Sequence, residues 1–336
     1  MNGRERILAK IHGEATDRLP FMPITMMFAA DVAGVSYRRY ASDGQVLAEA
    51  QLRVAEDFGC DHVSGISDPA REVSDLGGAI EWFEDQPPAI CGDASLLADK
   101  TRLASLAVPD PEAPGRMSDR VRGVRALAER AGSSLLVEGW VEGPCAMAAD
   151  LRGMSPLMLD FFDDETFVND LMDFSVRMET RFAAAQVAAG AKLIGVGDAA
   201  ASLVGPKMYT QFVLDWEKRL VDNIHALGVP VRLHICGNTK RIVRGMGETR
   251  CDIVDLDFLT SIAEGRAAMG PDQVLLGNLD PVRTLRDGTP DSVYAAVAEC
   301  HAQAGSPYIV GAGCEVPRGT PVENLRAMAR YAAEHN

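Results

Sequence analysis

No apolar stretch of about 18 residues, the length a helix needs to cross a bilayer, occurs anywhere in the 336-residue sequence. The N-terminal MNGRERILAKIHGE is charged and lacks the apolar centre of a secretory signal. These two absences predict a cytoplasmic protein with no membrane segment. Basic residues are the minority charge, 33 Lys and Arg against 48 Asp and Glu, for a net charge of −15. A field of that sign repels polyanions, so nucleic acid and acidic membrane surfaces are excluded as expected partners, and small molecules or other proteins remain. Cysteine is sparse, seven in all. An odd number at irregular spacing argues for reduced thiols rather than a disulfide framework, and an isolated Cys reads first as a small buried apolar residue. Internal repeats, low-complexity tracts and Gly/Ser linkers are missing too, so residues 1–336 read as one domain.

What is present is an alternation. Short apolar, β-branched runs bounded by Gly, Pro or Asp read as strands, and the longer Ala/Leu/Arg/Glu-rich stretches between them read as helices. The expected strands are Phe21 to Phe28, His62 to Ile66, Ser134 to Gly143, Lys192 to Ala199, Val231 to Gly237, Asp252 to Phe258, Gln273 to Asp280 and Tyr308 to Cys314. Helical patterns occupy Glu165 to Ala189, Tyr209 to Leu227, Asp291 to Ala304 and Val322 to Glu334. Repeated strand–helix units predict a parallel sheet, and eight of them predict closure into a (β/α)8 TIM barrel, an α/β fold, with an open doubly wound sheet as the alternative. The Pro-rich spacer from Gly78 to Arg116 reads as a loop excursion across the barrel.

In VRLHICGNT, His234 and Cys236 stand at i and i+2 of an expected strand and therefore share one face. Cys314 ends the eighth strand in YIVGAGCEVP, and barrel closure would bring its thiol to the same rim. One imidazole and two thiolates suit zinc with a fourth position open, the pattern of catalytic sites. The same spacing also fits buried packing residues. Cys251 precedes its strand, at the opposite rim, and is rejected as a ligand. Asp255 and Asp257 are candidates for a fourth ligand or for acceptors of a His234 hydrogen bond, with solvated loop carboxylates the plainer reading.

Further polar groups end expected strands: Asp68 and Glu72, Glu142, Asp198, and Asn278 with Asp280. Ionisable groups at the C-terminal rim of a barrel point to chemistry more often than elsewhere. For Asp280, placed before Pro281, a helix cap is the favoured reading; for Asp68, Glu142 and Asp198 ligand contact and structure stand level. His62 and His225 read as packing or surface residues. Met22 and Met26 share a face of the first strand that suits either a core or a bulky ligand.

From RERILAKIHGEATDRLPFMP to GCEVPRGTPVENLRAM the chain resembles the uroporphyrinogen decarboxylase superfamily over nearly its whole length. The HICGNT and GAGCEVPRGTP segments are similar to its corrinoid-dependent methyltransferase branch, whose best-known members are methylcobamide:coenzyme M methyltransferases. The resemblance implies a (β/α)8 barrel, zinc on His234, Cys236 and Cys314, and methyl transfer between a corrinoid such as methylcobalamin and an acceptor. Decarboxylases of the superfamily carry an RQAGR-like segment after the first strand; here that place reads MMFAADVAG, without arginine, which disfavours a substrate with eight carboxylates. The D-x-H-x-x-G signature of domains that carry their own cobalamin is also absent, so the corrinoid is expected on a partner protein. In that scheme a small thiol, coenzyme M or another, takes the fourth zinc position, and Asp198, Glu142 and Asp68 orient it or take up its proton. Tetrahydrofolate as acceptor, the reverse direction of transfer, a decarboxylase and a non-catalytic binding module remain open alternatives.

Overall fold

The computed structural model describes all 336 residues, the side chain of Asp93 excepted. Nine strands run in chain order: β1 His62–Ser64, β2 Ile80–Glu81, β3 Ala89–Ile90, β4 Leu136–Glu142, β5 Leu193–Gly197, β6 Val231–Ile235, β7 Ile253–Leu256, β8 Val274–Leu279 and β9 Tyr308–Ala312. Seven of them form one parallel sheet in the order β1-β4-β5-β6-β7-β8-β9, so sequential barrel strands are spatial neighbours, as right-handed strand–helix–strand units require. The β2–β3 pair is a short antiparallel hairpin within the Gly78–Arg116 excursion.

The eighth position is held by residues 20–24, where a full strand from Phe21 to Phe28 was expected. Phe21 makes only an isolated bridge to Val310. Met22 N–H donates to the Val310 carbonyl at 2.9 Å, and Asp61 N–H donates to the Phe21 carbonyl at 3.0 Å, so this segment joins β9 to β1 and closes the barrel. It cannot extend as a ladder because Pro20 and Pro23 supply no N–H. By Met27 the chain has turned into the helix Met27–Ala33. The other seven expected strands appear within two residues of their expected limits, and the helix Val322–Glu334 appears with the expected limits. The expected Tyr209 to Leu227 helix starts with a π-helical turn, Tyr209–Val213, before Leu214–His225. Among the described residues no helix is long and apolar enough to cross a membrane.

Strand alternation sorts the barrel interior into layers. On β4, Val137 and Val141 face the surrounding helices, while Leu136, Glu138, Trp140 and Glu142 point inward at rising height. The floor is apolar: Leu136, Leu193, Ile253, Val274, Leu276 and Ile309, closed below by Ile7 of the helix Gly3–Ile11. Above it lies a charged layer, in which Arg232 binds Glu138 at 3.2 Å and Asp255 at 2.6 Å with all three side chains buried. Trp140, Ile24 and Ile66 form the layer above that. The Arg232 guanidinium lies 5.8 Å below the Trp140 ring centre, a cation–π contact between the layers.

Candidate metal centre

On β6 the outward residues Val231, Leu233 and Ile235 pack against the helices, which forces Arg232 and His234 inward and carries Cys236 onto the same face at the strand's end. Gly237, in the left-handed region with φ 97°, then turns the chain away. Cys314 follows β9, which neighbours β8 and the Phe21 bridge. The result is a cluster in which His234 Nε2 is 3.0 Å from Cys236 Sγ, and Cys236 Sγ is 3.5 Å from Cys314 Sγ. The ligating atoms of the three residues all lie within 4.8 Å of one another.

The donor set fits zinc. Sulfur at about 2.3 Å and nitrogen at about 2.0–2.1 Å from a tetrahedral ion stand about 3.6–3.8 Å apart, and the contacts of this cluster fall short of that by roughly half an ångström or less. Small side-chain rotations cover the difference. The imidazole is already aimed: its Nδ1 lies 3.1 Å from the Asp255 carboxylate and 3.2 Å from the Asp255 carbonyl, which leaves Nε2 facing the sulfurs. Asp255 is thereby relocated from the solvated loop position that the sequence favoured. It is fully buried on β7, and although burial raises its carboxyl, the Arg232 and His234 charges outweigh that and hold it below the usual range. The hydrogen bond from Cys236 holds the Cys314 thiol well below its ordinary value, even against burial. That same bond, with burial, raises Cys236. Asp257 accepts the Gly237 and Leu259 N–H groups at 2.8 and 2.9 Å and so braces the loop after Cys236.

The three donors open into a cavity of about 200 Å³ whose wall includes Ile24, Met26, Ile66, Pro69 and Trp140 together with Asp68, Glu142 and Glu315. Asp68 accepts a bidentate pair from Arg116 at 2.7 and 2.8 Å and the Ala70 N–H at 3.1 Å. Burial raises its carboxyl, yet Arg116 brings it out below the ordinary value. Glu142 takes a hydrogen bond from the buried Arg71 at 3.0 Å, and Arg71 also meets Glu72 at 3.3 Å. Burial holds Glu142 well above the usual carboxyl range despite Arg71.

Asp198 sits elsewhere. Its carboxylate is turned behind the wall, accepting N–H bonds from Cys145 at 3.3 Å and Ala146 at 2.6 Å at the start of the helix Pro144–Arg152. Burial pushes it up to about 7. Of the three carboxylates singled out in the sequence, two line the cavity and Asp198 caps a helix. Asp280 also caps, accepting from Val282 and Arg283 at 2.9 Å. Cys251 is buried and stands apart from the donor cluster. Met22 belongs to the floor and Met26 to the cavity wall, so the shared face of that segment serves both readings.

Sequence reasoning passed over Glu315, whose carboxylate accepts the Met27 N–H at 2.6 Å and is pushed up to about 8 by burial. Its signal was adjacency: it follows Cys314 directly in GCEVP. Arg232 and Trp140 were passed over as well, although the period of two that placed His234 and Cys236 places both on inward faces.

The sequence profile of the uroporphyrinogen decarboxylase family matches residues 2–335. A methylcobamide:CoM methyltransferase of Methanosarcina mazei is 27% identical over 99% of this chain and 98% of its own length. A methylated-thiol–coenzyme M methyltransferase of the same organism is 26% identical over 99% and 90% of the two chains. A uroporphyrinogen decarboxylase of Gloeobacter violaceus is 24% identical over 86% and 84%. A solved structure of a methyltransferase from Methanosarcina mazei superposes with a TM-score of 0.91 at 23% identity, covering 99% of each chain, and so shares the fold.

Proposed function

The chain belongs to the uroporphyrinogen decarboxylase family, and from that premise we propose that it is a corrinoid-dependent methyltransferase, one (β/α)8 domain over residues 1–336. It moves a methyl group between a corrinoid carried on a partner protein and a small thiol. The observation that carries this reading is the meeting of His234, Cys236 and Cys314 at the head of a largely apolar cavity in the barrel mouth. Relatives over the full chain length that are named as methyltransferases acting on methylcobamide or methylated thiols support it.

Zinc on these three residues would leave one coordination position for the acceptor sulfur and hold it as a thiolate at neutral pH. The rest falls to the chain. Asp255 fixes the His234 tautomer and orientation through Nδ1, so that Nε2 presents its lone pair to the cluster. Ile24, Ile66, Met26 and Trp140 exclude water from the path of the reacting sulfur. A thiolate held within this wall would take the methyl group from the corrinoid, forming a C–S bond while the electron pair of the broken Co–C bond would remain with the cobalt. Glu142 and Asp68 line the same cavity and are placed to orient the acceptor or take up the proton its thiol gives up, Glu142 held by Arg71 and Asp68 by Arg116. Asp198 supports the cavity wall through its helix cap.

A decarboxylase of a polycarboxylate would need cations where the carboxylates rest. Among the described residues no Lys or Arg lines the cavity.

Single-turnover reaction of the zinc-loaded protein with methylcobalamin and 2-mercaptoethanol, followed through the cobalamin spectrum, tests the proposal. Conversion of methylcobalamin to Co(I), abolished by Cys314→Ser, is the expected outcome. A protein that binds zinc yet leaves methylcobalamin unchanged with every small thiol would overturn it.

A further inference from the structure

The acceptor's sulfur is fixed by the donor cluster, and the remainder of the molecule must lie along the cavity wall. That wall carries acidic side chains, Asp68, Glu142 and Glu315, and its other members apart from the three donors are apolar or glycine. The nearest cations are paired with carboxylates and none of them lines the cavity, although the buried Arg71 Nη1 has no hydrogen-bond partner. Arg116 gives both arms of its guanidinium to Asp68 and a further bond to the Ala41 carbonyl at 3.1 Å. Arg71 is fully buried between Glu72 and Glu142. Arg318, four residues beyond Cys314, points away to Asp31 and Asp85. Glu315 has no cation; it accepts only the Met27 N–H.

Whichever of these carboxyl groups holds a proton, the wall is at best neutral and at worst negative. With zinc bound, the two thiolates cancel the charge of the ion, so the donor cluster offers an anionic tail no counter-charge either. A sulfonate or carboxylate tail would therefore leave water with no counter-charge waiting, whereas a hydroxyl finds hydrogen-bond acceptors and an ammonium finds charge. Resting on the methyltransferase reading above, we propose that the thiol taken by this chain has a neutral or cationic tail and that the cavity discriminates against anionic ones. This sets the chain apart from the relatives named for coenzyme M, which is 2-mercaptoethanesulfonate.

Three thiols with the same two-carbon arm test this on the zinc-loaded wild-type protein: 2-mercaptoethanol, 2-aminoethanethiol and 2-mercaptoethanesulfonate. Their dissociation constants are measured by calorimetry, and methyl transfer from methylcobalamin is measured separately. The expected result is that the sulfonate binds at least about tenfold more weakly than the alcohol, with the amine equal to or tighter than the alcohol. A sulfonate that binds as tightly as the alcohol, or failure of all three to bind, overturns the inference. The two readouts separate it from its premise. The predicted binding order without any methyl transfer leaves the tail preference standing and removes the methyltransferase reading; transfer that runs best with the sulfonate does the reverse.

Discussion

Among single residues, Asp255 has a duty that differs from that of the donors it serves. It touches no substrate and holds His234 by Nδ1, so Asp255→Asn is expected to keep the zinc stoichiometry at saturating metal while lowering affinity about 10–100-fold. Cys314→Ser should lose the metal in ordinary buffer. Competition with a chromophoric chelator reads both; equal affinity in Asp255→Asn and wild type would remove Asp255 from the site. A second residue-scale expectation concerns Asp198, which burial raises to about 7, beside Glu217, itself held well above the carboxyl range by burial. An unfolded Asp releases its proton near pH 4, whereas the native state keeps it until about 7. Over that interval the native state binds more protons, so this site's contribution to stability falls as pH rises. Glu217→Gln supplies an amide that can donate to Asp198 at any pH, and its thermal midpoint should decline less than that of wild type between about pH 5 and pH 8. Parallel curves would contradict this. Much at this scale was legible in the sequence: a period of two put His234 and Cys236 on one face. For Asp198 the sequence left ligand contact and structure level, because a strand-end carboxylate looks the same whether it faces the mouth or turns back to cap the next helix.

At the scale of elements, the cavity depends on β5 giving way to β4. Inward positions 195 and 197 of β5 are glycines, and a Cβ at Gly195 would lie 2.2 Å from Trp140 Cε3. The indole can lie against the strand only because nothing projects there. Gly195→Val is therefore expected to push Trp140 into the cavity or strain it in place, costing about 1–3 kcal/mol of stability. A urea unfolding curve with unchanged midpoint and tryptophan emission would show that the ring is not seated by that glycine. Seven strands were readable because each is a short apolar run closed by a turn residue. The first was over-read, since a hydrophobic run from Phe21 to Phe28 looks like a strand until the two prolines are counted against the ladder bonds they cannot make. The charged layer of Glu138, Arg232 and Asp255 was invisible for a related reason: a salt bridge linking β4, β6 and β7 leaves no local pattern in any one of them.

At the scale of the whole molecule, the mouth of the barrel has an apolar rim. Leu203 in the loop after β5, Phe258 and Leu259 after β7, and Val282 after β8 are all exposed, and these loops stand at the strand ends that carry the donors. An exposed apolar rim of this kind marks a docking surface, and we propose that the corrinoid-carrying partner approaches over it. Leu203→Lys together with Phe258→Lys is expected to raise the KM for a corrinoid protein severalfold while leaving zinc content and stability near wild type. An unchanged KM would place the docking surface elsewhere. The barrel was legible as the favoured closure of repeated strand–helix units, with an open doubly wound sheet left as the alternative, because the pattern does not show whether the first segment joins the last strand. The excursion from Gly78 to Arg116 was recognised as irregular, but its content, including the Arg116 that locks Asp68, depends on contacts too distant in sequence to show as a pattern.

The central claim is that one imidazole and two sulfurs hold zinc and leave a position for a third sulfur. Zinc K-edge X-ray absorption on the purified protein, before and after addition of 2-mercaptoethanol, tests it directly. The expected spectrum has two sulfur scatterers at about 2.3 Å with one nitrogen and one further light atom, becoming three sulfurs with thiol present. A sulfur count that does not rise on thiol addition, or zinc bound without sulfur, would contradict it.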